Sequence, residues 1–366
     1  MCYCKSAEFD CTVYIRSAMA VITSNDTLID EVFQALVKHK PSLEAVLALS
    51  EDDGIDRRLL ADQIVRNFPW PIGVELRRLF SGSMRSSDRR RLDQLFKTAE
   101  RTMQFLAFTM LAQVWKERKA GVLELPASFV GEFERRFEQL TLGNIAWLVR
   151  VLGKAITTNS AATFLPELKE VLNDRFYASL DQWVPERNEI GHYQVNLTGE
   201  EIERRCVECG ERLGELLAAL ALFSRYKLVS VREIQVRKPR SKEAVFQHRI
   251  DLLNSSDSDF KASDVEGIHF TESHAVLLLR SLQDIDEYLN LSPLIIDTHS
   301  ELIDAKEKLE IRKDIFLYTK IKGDHLMYTG TEATEKCDLR SLGNYADLLD
   351  EFRDLVSAIV GKPAVQ

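Results

Sequence analysis

The chain has 366 residues, 45% of them apolar, which suffices to fill the cores of two or three domains and excludes disorder as a whole-chain description. Its 57 acidic residues outnumber its 48 basic ones and leave a formal charge of −9. A polyanion would therefore have to be met by a local basic surface, and a histone-like or tail-type nucleic-acid binder does not fit. The cysteines at positions 2, 4, 11, 206, 209 and 337 are too sparse for a disulfide framework and read as reduced thiols of a cytoplasmic protein. The longest apolar run, Leu216–Phe223, falls far short of the roughly 20 residues a membrane helix needs. Lys5, Glu8, Asp10 and Arg16 interrupt any signal-peptide core. A soluble, cytoplasmic protein with no membrane association is expected.

In chain order, Cys11–Arg16 is a short β-like run, and Ser24-Asn-Asp is a helix-start signal. Apolar spacing predicts helices over Thr27–Lys38, Ser42–Leu49 and Asp56–Asn67, a small N-terminal helical region spanning residues 1–67. Phe68-Pro-Trp-Pro71 cannot continue a helix and ends that region. Asp88 to Trp115 carries Leu92, Leu95, Phe96, Ala99, Met103, Leu106, Met110 and Val114 at intervals of three or four, the clearest helical period in the chain. Further helices are predicted over Ala127–Leu140, Leu142–Ile156 and Leu165–Leu180. A last one begins after Pro185, near Arg187, and runs to Phe223. Residues 68–225 thus read as an antiparallel helical bundle. From residue 226 the pattern turns to β-branched alternation over Lys227–Arg237, Ala244–Leu252, His274–Arg280, Ile315–Ile321 and His325–Tyr328, with turns at Asn254–Asp259 and Lys322–Asp324 and a closing helix at Ala346–Ile359. The fold class is mainly α, with a C-terminal antiparallel β-rich (α+β) domain over 226–366.

Chemistry concentrates in Trp183-Val-Pro-Glu-Arg-Asn-Glu-Ile-Gly-His192. An Arg-Asn-x-x-x-His string arises by chance in only roughly one or two per hundred chains of this length, from average residue usage. Pro185 suits the first turn of a helix, so the string is expected at a helix start. On a regular helix Asn188 and His192 share a face, whereas Arg187 and His192, five apart, diverge by about 140°. One chain would struggle to close both on a single phosphate. Two copies about a twofold axis could present both to a shared cleft.

The string Arg187-Asn188-Glu189-Ile190-Gly191-His192 in a helical bundle resembles the R-x4-6-H signature of the HEPN (higher eukaryotes and prokaryotes nucleotide-binding) superfamily. The likeness covers about residues 68–225. The resemblance implies a metal-independent endoribonuclease acting as a homodimer with the motif at the interface, in bacterial defence or as a toxin with an antitoxin or defence-system partner. RNA would be the substrate and no metal or cofactor is implied. The residue types suit that chemistry: RNA brings its own 2′-OH nucleophile, His192 can act as acid or base near neutrality, and Arg187 can hold the phosphate bidentately. Asn188 could orient either. Glu100, a carboxylate on the long apolar helix, is a candidate supporting partner for Arg187, and equally an ordinary residue at the edge of the stripe. Two other readings compete: Arg187 pairing with Glu186 or Glu189 on an unremarkable surface, and an inactive HEPN-like adaptor or sensor that binds a partner protein or nucleotide.

Other signals are weaker. Cys206 and Cys209 have zinc half-site spacing with Cys2, Cys4 and Cys11 as a distant complement, but their helical setting favours two ordinary thiols. Arg85–Arg101 and Lys227–Arg249 are locally basic and could track an RNA backbone or simply be solvated faces. No nucleotide-binding loop or zincin motif is present.

Overall fold

In the computed structural model the described residues are 24–48, 56–159, 163–192, 197–254, 260–298, 314–332, 336–340 and 342–361. The β-like run at Cys11–Arg16 lies outside them. The fold is mixed α+β. Among the described residues ten α-helices precede the first strand: α1 Ser24–His39, α2 Glu44–Ala48, α3 Arg57–Asn67, α4 Trp70–Leu79, α5 Arg89–Lys119, α6 Ala127–Phe137, α7 Leu142–Thr158, α8 Leu168–Val171, α9 Asp174–His192 and α10 Gly199–Ala219. The strands then follow as β1 Lys227–Arg237, β2 Val245–Leu252, β3 Lys261–Gly267, β4 Val276–Ser281, β5 Asp284–Asn290, β6 Ile295–Asp297, β7 Ile315–Lys322, β8 His325–Gly330 and β9 Lys336–Asp338, and helix α11 covers Tyr345–Val360.

Helix boundaries follow from caps. Asp56 accepts the N–H groups of Arg58 and Leu59 ahead of α3, and Asp88 accepts that of Arg91 ahead of α5, each satisfying donors the helix itself leaves open. The long α5 is buried on most sides, by α4, α7 and α10, so its apolar residues extend beyond one stripe.

Two expectations are corrected. The Phe68-Pro-Trp-Pro71 element starts a helix as well as ending one: Pro69 caps α4 and Pro71 lies in its first turn, where a missing N–H costs nothing. Trp70, fully buried, donates from Nε1 to Thr331 Oγ1 at 2.9 Å and anchors that turn to the C-terminal part of the chain. The second correction matters more, because no helix begins at Pro185. Helix α9 starts eleven residues earlier, where Asn173 Oδ1 accepts the Phe176 N–H at 3.1 Å, and Pro185 lies inside it. An interior proline costs about 3 kcal/mol. Buried Leu180 and Trp183 hold the helix on one side, while Pro185 and the residue four before it, Asp181, are exposed, so the unbonded carbonyl is on the water side. The Arg-Asn-x-x-x-His string therefore closes α9 instead of opening a helix.

The strands form two antiparallel sheets, ordered β3-β2-β1-β4-β5 and β6-β7-β8-β9. The first curls until its edge strands β3 and β5 meet: a Cβ on Gly267 would lie 2.7 Å from Ile285 Cγ2. Val229, Val231, Ile250, Val265, Leu277, Leu279 and Ile285, drawn from all five strands, fill its interior. Alternate residues such as Leu228 and Leu278 point outward into the main core, as the two-residue side-chain period requires. β3, β5, β6 and β9 were not predicted, since the first two are polar edge strands and the last two have only three residues each.

The main core is continuous from Leu28 of α1 to Ile359 of α11. It crosses the changes of texture near residues 67 and 225: α1 packs on α10, and the second sheet and α11 pack on α5 and α6. The tip of the α6–α7 connection even pairs with β7, Leu140 N–H bonding Thr319 O at 2.8 Å and Ile321 N–H bonding Glu138 O at 2.9 Å.

Candidate functional site

The C-terminal half of α9 is fastened on two sides. Trp183 is fully buried, edge-on to Phe96 of α5 at 5.5 Å between ring centroids, with the Arg212 guanidinium over its face at 5.6 Å. Glu186 pairs with Arg212 and accepts from Cys209 Sγ at 3.2 Å, and Glu189 accepts from Arg205 Nη2 at 2.8 Å. Positions 186 and 189, three apart, thus both face α10. Glu189 and Glu201 together hold the Arg205 guanidinium well above its ordinary pKa.

Arg187 pairs with neither neighbouring carboxylate. It turns towards α5, where its Nη2 lies 3.5 Å from Glu100 Oε2. The structure therefore brings together two of the residues singled out in the sequence, from helices almost ninety positions apart. The Arg187 side chain is 50% exposed and that of Glu100 33%, so the contact is an open ion pair, worth little to stability by itself. Asn188 is exposed. His192 is the last residue of α9, and its side chain lies outside the described residues. Because the helix is continuous through Arg187 and His192, their divergence of about 140° stands.

Arg187 and Glu100 line one end of a cleft of about 420 Å³ between α5, α9, the α6–α7 connection and the second sheet. Lys97, Arg101 and Gln104 of α5 and Lys320 of β7 also line it. Of these four, Lys97 and Arg101 fall within the basic stretch Arg85–Arg101, and none was singled out as a site residue. A signal existed for the first three: Lys97, Glu100, Arg101 and Gln104 recur at helical spacing as a polar stripe on an otherwise buried helix. Nothing local marks Lys320. A larger cavity, about 1020 Å³, lies between α6, α11 and the β7–β8 turn. It holds none of the predicted residues.

The basic stretches resolve into different roles. Arg89 and Arg90 pair with Asp93 and Asp88, and Arg91 is buried, donating to Asn25 Oδ1 and to Met84 O, each at 2.8 Å. Arg237 pairs with Glu266, while Lys238, Arg240 and Lys242 are exposed on the β1–β2 connection. Cys206 and Cys209 are buried free thiols within α10. Burial pushes Cys206 up to about 11, and burial beside Glu186 pushes Cys209 higher still, the opposite of a reactive or metal-binding thiol. Among the described residues no group of His, Cys, Asp and Glu side chains could hold a metal ion, and no helix is long and apolar enough to cross a membrane. Comparison with protein-family models, with curated proteins and with solved structures found no match for the chain.

Proposed function

We propose that the chain is a metal-independent endoribonuclease of HEPN type that acts as a homodimer in a defence or toxin role. The observation that carries this reading is Arg187: it belongs to the Arg-Asn-x-x-x-His string, and it projects from a long helix into a cleft rich in cations. A single contact to Glu100 cannot saturate the five N–H donors of a guanidinium, so Glu100 orients Arg187 while leaving donors for a phosphate. In the proposed reaction the RNA 2′-OH attacks the adjacent phosphorus and the P–O5′ bond breaks. A 2′,3′-cyclic phosphate and a 5′-OH end result. His192 transfers the proton, Arg187 holds the non-bridging oxygens as charge builds on them, and Asn188 positions the phosphate. The partner chain supplies the second Arg and His, which the divergence along α9 keeps a single chain from aligning.

The test is cleavage of single-stranded RNA in excess EDTA. His192→Ala and Arg187→Ala are each expected to reduce the rate by about 10² or more, the usual contribution of a proton-transfer or charge-stabilising group. The wild type is expected to sediment as a dimer. Mixed single-variant protomers should recover part of the activity, because each heterodimer keeps one intact residue of each kind. Cleavage that requires a divalent metal, or that survives both substitutions, overturns the reading.

The adaptor reading is favoured by one feature. Val236, Ile268 and Phe270 are exposed at one end of the five-stranded sheet, a set of apolar side chains suited to contact with another protein. No cleavage together with retained partner binding that is lost on Phe270→Ser would favour it.

A further inference from the structure

The cleft beside Arg187 holds an unusual charge balance. Four cationic side chains, Lys97, Arg101, Arg187 and Lys320, line it against the single carboxylate Glu100. Their partners are few. Glu75, fully buried behind the cleft, is shared by Arg78 at 3.0 Å and Lys97 at 3.4 Å, and Glu100 serves Arg187. Arg101 and Lys320 have no carboxylate within ion-pair distance among the described residues.

Arg101 is the more telling of the two, at 7% exposed. Its Nη1 donates to Gln104 Oε1 at 2.7 Å, and Gln104 in turn donates from Nε2 to Tyr318 O of β7 at 2.8 Å. Gln104 is fixed at both ends, so it holds the guanidinium in place instead of neutralising it. A buried charge whose hydrogen-bond partner among the described residues is a neutral amide, with Glu75, Glu100 and Asp314 acting on it only from beyond ion-pair distance, is expensive, and burial lowers the pKa of Arg101. A fold that retains such a group in a wall of a cleft has either another use for the position or an anion to place there.

We propose that this cleft is a phosphate-binding site, in which Arg101 forms the floor, Lys97 and Lys320 the sides and Arg187 the rim. A dianionic phosphate monoester, or two successive diester groups of one charge each, would offset much of the excess charge, and the guanidinium fork matches phosphate oxygens bidentately. The volume, about 420 Å³, admits a pyrophosphate or one nucleotide unit. The ligand's phosphate comes either from an RNA chain or from a free nucleotide. The RNA source rests on the nuclease reading, through the shared Arg187, whereas phosphate binding as such does not.

The experiment titrates the full chain with inorganic pyrophosphate by calorimetry at low salt, for the wild type, Lys320→Gln and Arg101→Met. Lys320 is half-buried on β7 beside the α6–α7 connection, so its variant tests the site without endangering the core. Circular dichroism checks that Arg101→Met is folded. Binding that falls about tenfold or more in Lys320→Gln supports the site, in keeping with loss of one charge-assisted hydrogen bond. A parallel arm uses the His192→Ala variant to bind labelled oligouridine or ATP with pyrophosphate as competitor. Displacement of the oligouridine assigns the RNA source, and displacement of ATP alone assigns the nucleotide. Absence of pyrophosphate binding at millimolar concentration, or binding unchanged in Lys320→Gln, overturns the proposal. Binding without RNA cleavage leaves this site standing and sinks the nuclease reading, and cleavage without pyrophosphate binding does the reverse.

Discussion

Trp183 is the anchor of the helix that carries the Arg-Asn-x-x-x-His string, and two substitutions there separate what its ring does from what its N–H does. The side chain is fully buried, meets Phe96 edge-on at 5.5 Å and lies under Arg212, yet among the described residues its Nε1 has no hydrogen-bond partner. Trp183→Ala removes the whole ring and leaves a cavity between α5, α9 and α10, at a cost of about 3–5 kcal/mol. Trp183→Phe keeps an aromatic ring against Phe96. It loses packing on the order of 1–2 kcal/mol but also relieves a buried unpaired donor, a penalty of about 1–3 kcal/mol. The two nearly cancel, and Trp183→Phe is expected within about 1 kcal/mol of the wild type. Urea unfolding followed by far-ultraviolet dichroism measures both. Native-state hydrogen exchange of the Arg187–His192 amides should accelerate in Trp183→Ala, because the last turns lose their support. If Trp183→Phe destabilises as much as Trp183→Ala, or Trp183→Ala costs under about 1 kcal/mol, the ring is not the anchor and this account of how α9 is held fails.

Further outcomes follow from single positions. Gly73→Ala would ordinarily help a helix by about 1 kcal/mol, but its Cβ would lie 2.7 Å from the Val65 carbonyl oxygen of α3, so a loss of about 1–3 kcal/mol is expected. A raised melting temperature would contradict the tight α3–α4 approach. Burial lowers the pKa of the fully buried His248, so below about pH 6.5, the ordinary histidine value, the unfolded chain binds the proton more readily and stability falls with falling pH. His39, also lowered by burial, acts in the same direction. His248→Gln should flatten the acid side of the urea midpoint plotted between pH 7.5 and 5.5. An unchanged slope would show that His248 is not held neutral in the fold.

Much of the architecture was legible in the chain. The long period over Asp88–Trp115 became α5, extended only at its C-terminal end to Lys119, and the alternation over Lys227–Arg237 is β1. Helix caps at Asp56 and Asp88 are local chemistry, decided within a few residues. The local meaning of proline is ambiguous. Pro71 opens α4 and Pro185 sits within α9, because burial of Trp70, Leu180 and Trp183 outweighs the missing hydrogen bond.

The string at Arg187–His192 and the carboxylate at Glu100 could be picked out from sequence as residue types suited to one chemistry. Whether any two of them meet could not. The partner of Arg187 is decided by α9 packing against α5, with Glu186 and Glu189 drawn off towards α10 by Arg212 and Arg205. Lys320 reaches the same cleft only because the α6–α7 connection pairs with β7 and fastens the second sheet to the helices. Local sequence determines which backbone each segment adopts, since propensity, capping and periodicity act over a few residues. Which charges face one another depends on contacts between segments far apart in the chain, and those the tertiary structure alone decided.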